Sequence, residues 1–173
     1  MDEVAVLELL KSLRAHRHFA DRPVSDGEIV RMLEVARWTG SARNRQPWRL
    51  VVVKTQEVRR TLSNLGRYAQ HLALAPLGVA IATDDTLGGR DTAFDAGRVC
   101  QNLALAAHGL GLASCPVTLH PEDNADRAAR LVGLERPWRI DHVLAVGQPA
   151  DPPPGTPAIQ QGRRTVDELA WEV

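Results

Sequence analysis

Cysteine is nearly missing from this chain: Cys100 and Cys115 are the 2 cysteines among 173 residues. Two thiols are too few for a disulfide framework or a tetrahedral metal site. Cys100 falls in a helical stretch and Cys115 in an apolar strand-like run, so both read as buried, inert thiols of a reducing compartment, with the cytoplasm as the expected location. An excess of charge of one sign is missing as well. Lys plus Arg and Asp plus Glu number 21 each, for a formal net charge of +0, so no global field gathers nucleic acid or an anionic membrane. No run approaches the ~20 apolar residues of a membrane span. The opening Met1-Asp2-Glu3-Val4 is acidic, and Lys11 and Arg14 interrupt the apolar residues that follow, which leaves no signal-peptide core. A glycine-rich phosphate loop is also absent. Val51-Val52-Val53 runs into Lys54-Thr55-Gln56, matching neither G-x-G-x-x-G nor the P-loop, so the dinucleotide and nucleoside triphosphate folds lose support.

What remains is an ordinary globular composition, 44% hydrophobic and 24% charged, suited to one domain over residues 1–173. Leu7, Leu10 and Leu13 predict an amphipathic helix over residues 4–14. Ser25 and Glu28 form a capping-box pattern ahead of Ile29, Met32, Leu33 and Ala36, the apolar face of a second helix that stops before Gly40. The polar segment 39–47 feeds a buried strand at 48–53, and Val58, Leu62 and Leu65 mark a third helix. A second strand is expected at 77–83 and a loop at 84–89. The proline-free stretch 92–110 carries Val99, Leu103, Ala106 and Ala107 at helical spacing and reads as the central core helix. A strand at 112–117, a surface helix at 123–131 and a strand at 140–146 follow. From Gln148 onward Pro149, Pro152, Pro153, Pro154 and Pro157 preclude a helix and predict an extended tail. The order of elements describes a sheet covered by helices, α/β or α+β.

Two groups of residues can carry chemistry. Arg14 and Arg17 stand three apart at a helix end; they are either solvated arginines or half of a phosphate clamp, since guanidinium forks match phosphate oxygens. Gly162-Arg163-Arg164 is equally open. Ser41, Asn44 and Gln46 place a hydroxyl and two amides on one loop, able to read the edge of a heterocycle or simply to satisfy a turn. His108, His120 and His142 read as structural or solvated histidines.

In combination and in order, these segments resemble the flavin-dependent nitroreductase family. Arg14-Ala15-His16-Arg17-His18-Phe19, Pro23-Val24 and Ser41-Ala42-Arg43-Asn44-Arg45-Gln46-Pro47-Trp48 look like its N-terminal signature. Asp95-Ala96-Gly97, Gln101-Asn102-Leu103, Gly109-Leu110-Gly111-Leu112-Ala113-Ser114-Cys115-Pro116, Val146-Gly147-Gln148-Pro149 and Gly162-Arg163-Arg164 resemble its later blocks.

The resemblance implies an α+β, three-layer fold with a mixed central sheet of about four to five strands covered by helices. It further implies an intertwined homodimer with FMN sites between subunits, the segment 148–173 packing on the partner. Arg14, Ala15 and Arg17 fall on the phosphate positions, joined by Arg163 or Arg164 from the C-terminal segment. Ser41, Asn44 and Gln46 belong to the loop that a partner lays against the flavin. Pro116, Val117 and Thr118 match the strand end beneath the isoalloxazine ring, with a backbone N–H near Thr118 meeting the hydride-accepting nitrogen. No catalytic side chain is required, because the flavin takes hydride from NADH or NADPH and passes electrons to a nitroaromatic, quinone or similar small-molecule acceptor by a ping-pong exchange. The alternatives are a flavin-binding protein without turnover, for storage or delivery, and a relative with different flavin or deazaflavin chemistry. The chain departs from the family at Leu13 and Ala15, where Arg-Arg-Ser is common and here one guanidinium and one hydroxyl are missing. It departs also at Gly40, where proline is usual, and in the short stretch from Asp84 to Asp91.

Overall fold

The computed structural model describes residues 3–87, 89–155 and 162–173. Six helices and four strands alternate in it: α1 (Glu3–Ser12), α2 (Asp26–Arg37), β1 (Trp48–Val53), α3 (Gln56–Ser63), α4 (His71–Leu74), β2 (Leu77–Asp84), α5 (Arg90–Gly109), β3 (Ala113–Thr118), α6 (Asp123–Leu131) and β4 (Trp138–Gly147). The sheet order is β1-β2-β4-β3, and all three strand pairings are antiparallel. The expected mixed sheet therefore shows parallel pairing among the described residues only in an isolated bridge, Ala15 to Ser114.

Strand alternation divides the core into two layers. On β2, Leu77, Val79 and Ile81 face α2 and α5, packing with Met32, Val99 and Leu103. Ala80 and Ala82, the intervening small residues, face α3, α4 and α6, where Leu62, Leu72 and Ala128 close the other layer. The three-layer α+β architecture thus follows from a central strand buried on both sides. The predicted capping box starts α2: Ser25 N–H donates to Glu28 Oε2 at 2.8 Å, and Glu28 N–H donates to Ser25 Oγ at 3.3 Å.

A β-bulge on β4 decides what faces the α5 side. Ile81 pairs with His142 and Ala82 with Ile140, so Asp141 is the additional residue. Ile140 and Val143 consequently share one face despite an odd spacing, and His142 joins Leu144 on the other. Bulges re-aim side chains in this way and often do so beside functional sites.

The structure corrects some boundaries. The first helix ends at Ser12, ahead of Leu13 and Arg14, where the chain leaves to run beside β3. α4 was not expected, because four residues give no readable period. The expected loop after β2 contains a 3₁₀ turn at Asp85–Leu87. Cys115 is buried as anticipated, whereas Cys100 is only partly so. The tail begins on its own chain: Ala20 N–H donates to the Gln148 carbonyl and Ala150 N–H to the His18 carbonyl. Pro157 and the rest of 156–161 lie outside the described residues.

Candidate cofactor site

The edge strand β3 organises the site. The chain leaving α1 lies along its free edge, with Ala15 bridged to Ser114 and His16 N–H donating to the Ser114 carbonyl at 2.9 Å. Arg14 and Arg17 are thereby brought beside the strand that carries Pro116, Val117 and Thr118. Arg14 Nη1 donates to the Lys11 and Leu13 carbonyls at 2.6 and 2.8 Å, satisfying the last turn of α1. Among the described residues neither Arg14 nor Arg17 has a carboxylate within 4.0 Å, although both are exposed at a strand edge. Two guanidiniums without counter-ions suit an anionic ligand group. The positive charge of Arg17 reaches Cys115 and His71.

The loop after α2 is held by α5. Asp95, 1% exposed, accepts the Ala42 N–H at 2.9 Å and lies 3.5 Å from the Arg98 guanidinium. Asn102 donates to Thr39 Oγ1 at 2.7 Å, and Arg45 reaches Asp91 at 3.1 Å. These anchors recur along one face of α5. They hold Arg43, Asn44 and Gln46 at φ of 55°, 54° and 48°, a left-handed conformation that costs side-chain-bearing residues energy and persists only where the surroundings impose it. Within the loop Gln46 N–H donates to Ser41 Oγ at 2.8 Å and Gln46 Nε2 to Asn44 Oδ1 at 3.1 Å. The turn reading of these residues is therefore realised, while the Asn44 amide N–H groups and the Gln46 carbonyl stay on the exposed side.

On another face of α5 a cleft of about 650 Å³ opens between the helix and the sheet edge. Ala93, Ala96, Gly97 and Cys100 form its helical wall; Pro116, Thr118 and His142 form its floor. The wall is built of small side chains. A Cβ on Gly97 would meet nothing within 4 Å. Burial, and then Cys115, push the Cys100 thiol up to about 11, so at neutral pH it is a protonated, weakly reactive wall group. The far end is polar. Arg139 donates to both carboxylate oxygens of Asp141 at 3.1 Å and reaches Glu122 at 3.3 Å; its pKa is raised by these partners, Asp141 foremost.

The predicted residues therefore divide into three groups. Arg14, Ala15, Arg17, Pro116, Val117 and Thr118 share one strand edge. The Val117 side chain turns into the core, so only its backbone faces a ligand, while Pro116 and Thr118 are exposed. Ser41, Asn44 and Gln46 lie across α5 from the cleft and do not line it. Arg163 and Arg164 stand exposed on a segment, 162–173, that buries none of its side chains in its own chain. Asp95 and Asn102 are additions to the sequence reading. Their signal was a carboxylate and an amide spaced along α5, among other polar residues such as Asp91 and Arg98. Two of the three histidines settle as structural or wall residues: His108 Nε2 lies 2.8 Å from Ser12 Oγ, tying α1 to α5, and His142 is placed by the bulge.

Comparison with known proteins identifies the family and the fold. The sequence model of the nitroreductase family matches residues 10–77 and 66–148. An Archaeoglobus fulgidus protein named "Putative NADH dehydrogenase/NAD(P)H nitroreductase" is 28% identical over 149 residues, spanning 84% of this chain and 86% of that protein. A solved structure from Desulfovibrio desulfuricans, described as "a putative nitroreductase in complex with fmn", has a TM-score of 0.80 at 26% identity and covers 99% of this chain and 98% of its own. The FMN-dependent nitroreductase of Clostridium difficile R20291 has a TM-score of 0.77 at 22% identity, with 94% of each chain covered.

Proposed function

Because the chain belongs to the nitroreductase family, we propose that it is an NAD(P)H-dependent oxidoreductase that binds FMN and reduces a nitroaromatic, quinone or similar acceptor. The observation that carries this reading is the pairing of Arg14 and Arg17, without carboxylate partners among the described residues, to an edge strand that borders a cleft walled by small residues. The donor set fits the cofactor. Guanidiniums suit its phosphate, and the exposed backbone around Pro116 and Thr118 suits a flat ring. When bound, FMN supplies the hydride-accepting and electron-donating chemistry.

In this reading Arg14 and Arg17 hold the phosphate, with Arg163 and Arg164 closing over it, and Ala15 passes beneath without a hydroxyl to offer. A backbone N–H near Thr118 would meet the ring there and favour negative charge on it. In this reading donor and acceptor occupy the same cleft in turn, which is the ping-pong order.

The site is completed by a second copy. Ser41, Asn44 and Gln46 are held rigidly on the face of α5 away from their own cleft, where they are available to a partner's flavin. Val4, Leu7 and Leu10 on α1, and Val166, Leu169 and Trp171 in the tail, are exposed in one chain and give a homodimer its apolar contact area. The segment 148–173, which starts against its own chain at Gln148 and Ala150, is accordingly the part of the single domain that packs on the partner in this reading. No helix among the described residues is long and apolar enough to cross a membrane, and we assign the protein to the cytoplasm on its two unpaired thiols.

The test is the absorbance spectrum with FMN. Bound flavin should bleach anaerobically with NADH or NADPH and recover on addition of a quinone or nitroaromatic, and initial rates varied in both substrates should give parallel double-reciprocal lines. A protein that takes up no FMN overturns the proposal.

A further inference from the structure

His71 is the buried polar side chain that the fold alone does not explain. It is 8% exposed, and its Nε2 has no hydrogen-bond partner among the described residues. A backbone hydrogen bond to Tyr68 engages the ring's other nitrogen. Buried polar atoms are rarely left unpaired, and an exception points to an absent partner. The surroundings of His71 indicate which partner. The segment leading into α4 packs on the end of β3: His120 N–H donates to the Leu65 carbonyl at 2.9 Å, and Gly66 sits so close that a Cβ would lie 2.5 Å from the Thr118 carbonyl. Arg17 and His18, from the chain along the other part of the β3 edge, act on the His71 ring electrostatically. His71 thus opens α4, directly after the segment packed on the end of β3, and lies near enough to Arg17 and His18 for their charges to act on it.

We propose that His71 is a ligand of bound FMN and takes up a proton as the cofactor binds, its Nε2–H then donating to an FMN oxygen beside Arg17. The inference rests on FMN binding. In the protein alone burial, then Arg17, then His18 disfavour the imidazolium, and no carboxylate among the described residues offsets them. The Cys115 thiol, on which the charge of Arg17 also acts, is itself kept protonated by burial. An anionic or electron-rich oxygen placed between Arg17 and His71 converts their mutual repulsion into two attractions. It also supplies the acceptor that a protonated Nε2 needs. This offsets the guanidinium and hydroxyl missing at Leu13 and Ala15.

Calorimetric titration of FMN into the full-length apoprotein, at one pH in two buffers of different ionisation enthalpy, measures proton uptake directly. Wild type should take up most of one proton more than His71→Asn, and the variant should bind FMN about tenfold more weakly, the scale of one charge-assisted hydrogen bond. Riboflavin in place of FMN locates the acceptor: extra uptake with FMN alone assigns it to the phosphate, and uptake with both assigns it to the ring. Should the variant not fold, NMR titration of the His71 ring in the unaltered protein replaces it, with an upward move of its pKa on adding FMN expected and an unmoved one overturning the proposal. Equal uptake and affinity in wild type and His71→Asn overturn this inference alone. Wild type that binds no FMN overturns the inference and the reading beneath it.

Discussion

The buried carboxylate of Asp95 accepts the backbone N–H of Ala42 across 53 positions of sequence, and through that bond the core helix α5 holds a loop whose residues adopt left-handed backbone angles. The loop is rigid because the helix is. Asp95 is the point at which core packing sets the shape of the 39–46 loop.

Replacing Asp95 by Ala should lower stability by about 1–3 kcal/mol, because the Ala42 amide loses its acceptor and Arg98 its partner. Asp95→Asn, which retains an acceptor, should cost less. Urea midpoints at fixed protein concentration measure both, and faster amide exchange confined to residues 39–46 would identify the loop as the affected part.

Arg17→Ala should weaken FMN binding by a factor on the order of 10–100, as expected for loss of a charge-assisted phosphate contact, while leaving the unfolding midpoint within about 0.5 kcal/mol of wild type. Flavin fluorescence quenching gives the affinity. An unchanged value removes Arg17 from the site. Wild-type affinity should also fall with added salt more steeply than that of the variant.

The apoprotein should lose stability with acid in two stages. Burial keeps the folded His71 below its ordinary value of 6.5, so the unfolded chain binds that proton more readily; the contribution of the neutral ring is whole above about pH 6.5 and declines as pH falls from there toward the lower folded value. Glu28 follows later. Hydrogen bonds from Ser25 hold its carboxyl below 4.5, so the capping box is intact above that pH and is lost below it. Denaturation midpoints between pH 7 and 5 should fall in wild type and fall less in His71→Asn. Parallel curves for the two would refute the assignment of the first stage.

Two glycines should respond oppositely to Ala. At Gly66 the added Cβ meets the Thr118 carbonyl at 2.5 Å, and Gly66→Ala should destabilise by about 1–3 kcal/mol, as overpacking does, shifting the end of β3. At Gly97, within α5 and clear of neighbours in its own chain, Ala should add about 0.5–1 kcal/mol through helix propensity. It should also raise KM for bulky acceptors, since the methyl enters the cleft wall. Thermal melts and steady-state kinetics separate the two effects.

Most of the secondary structure was legible because its signals are local. The Ser25–Glu28 pair announced α2, and the apolar spacing through Val99 and Leu103 announced α5. β-branched runs marked β1 and β2. α4 escaped for want of length. The β4 bulge escaped because an additional residue at Asp141 shows only against a partner strand. His71 resembled any polar residue of a short surface segment, and nothing beside it in sequence hinted that Arg17 would stand near its ring.

Sequence by itself determined the family, the layered alternation of helix and strand, and the residue types able to meet a phosphate and a ring, since composition, periodicity and motif order are properties of the chain. Tertiary structure decided which of those residues share a place. It drew Arg14 and Arg17 to β3 through the Ala15–Ser114 bridge, sent Ser41, Asn44 and Gln46 to the opposite side of α5, and buried His71 with its Nε2 lacking a partner among the described residues. Such outcomes depend on contacts between segments distant in sequence, where burial and unsatisfied hydrogen bonds, rather than local propensity, set the energy.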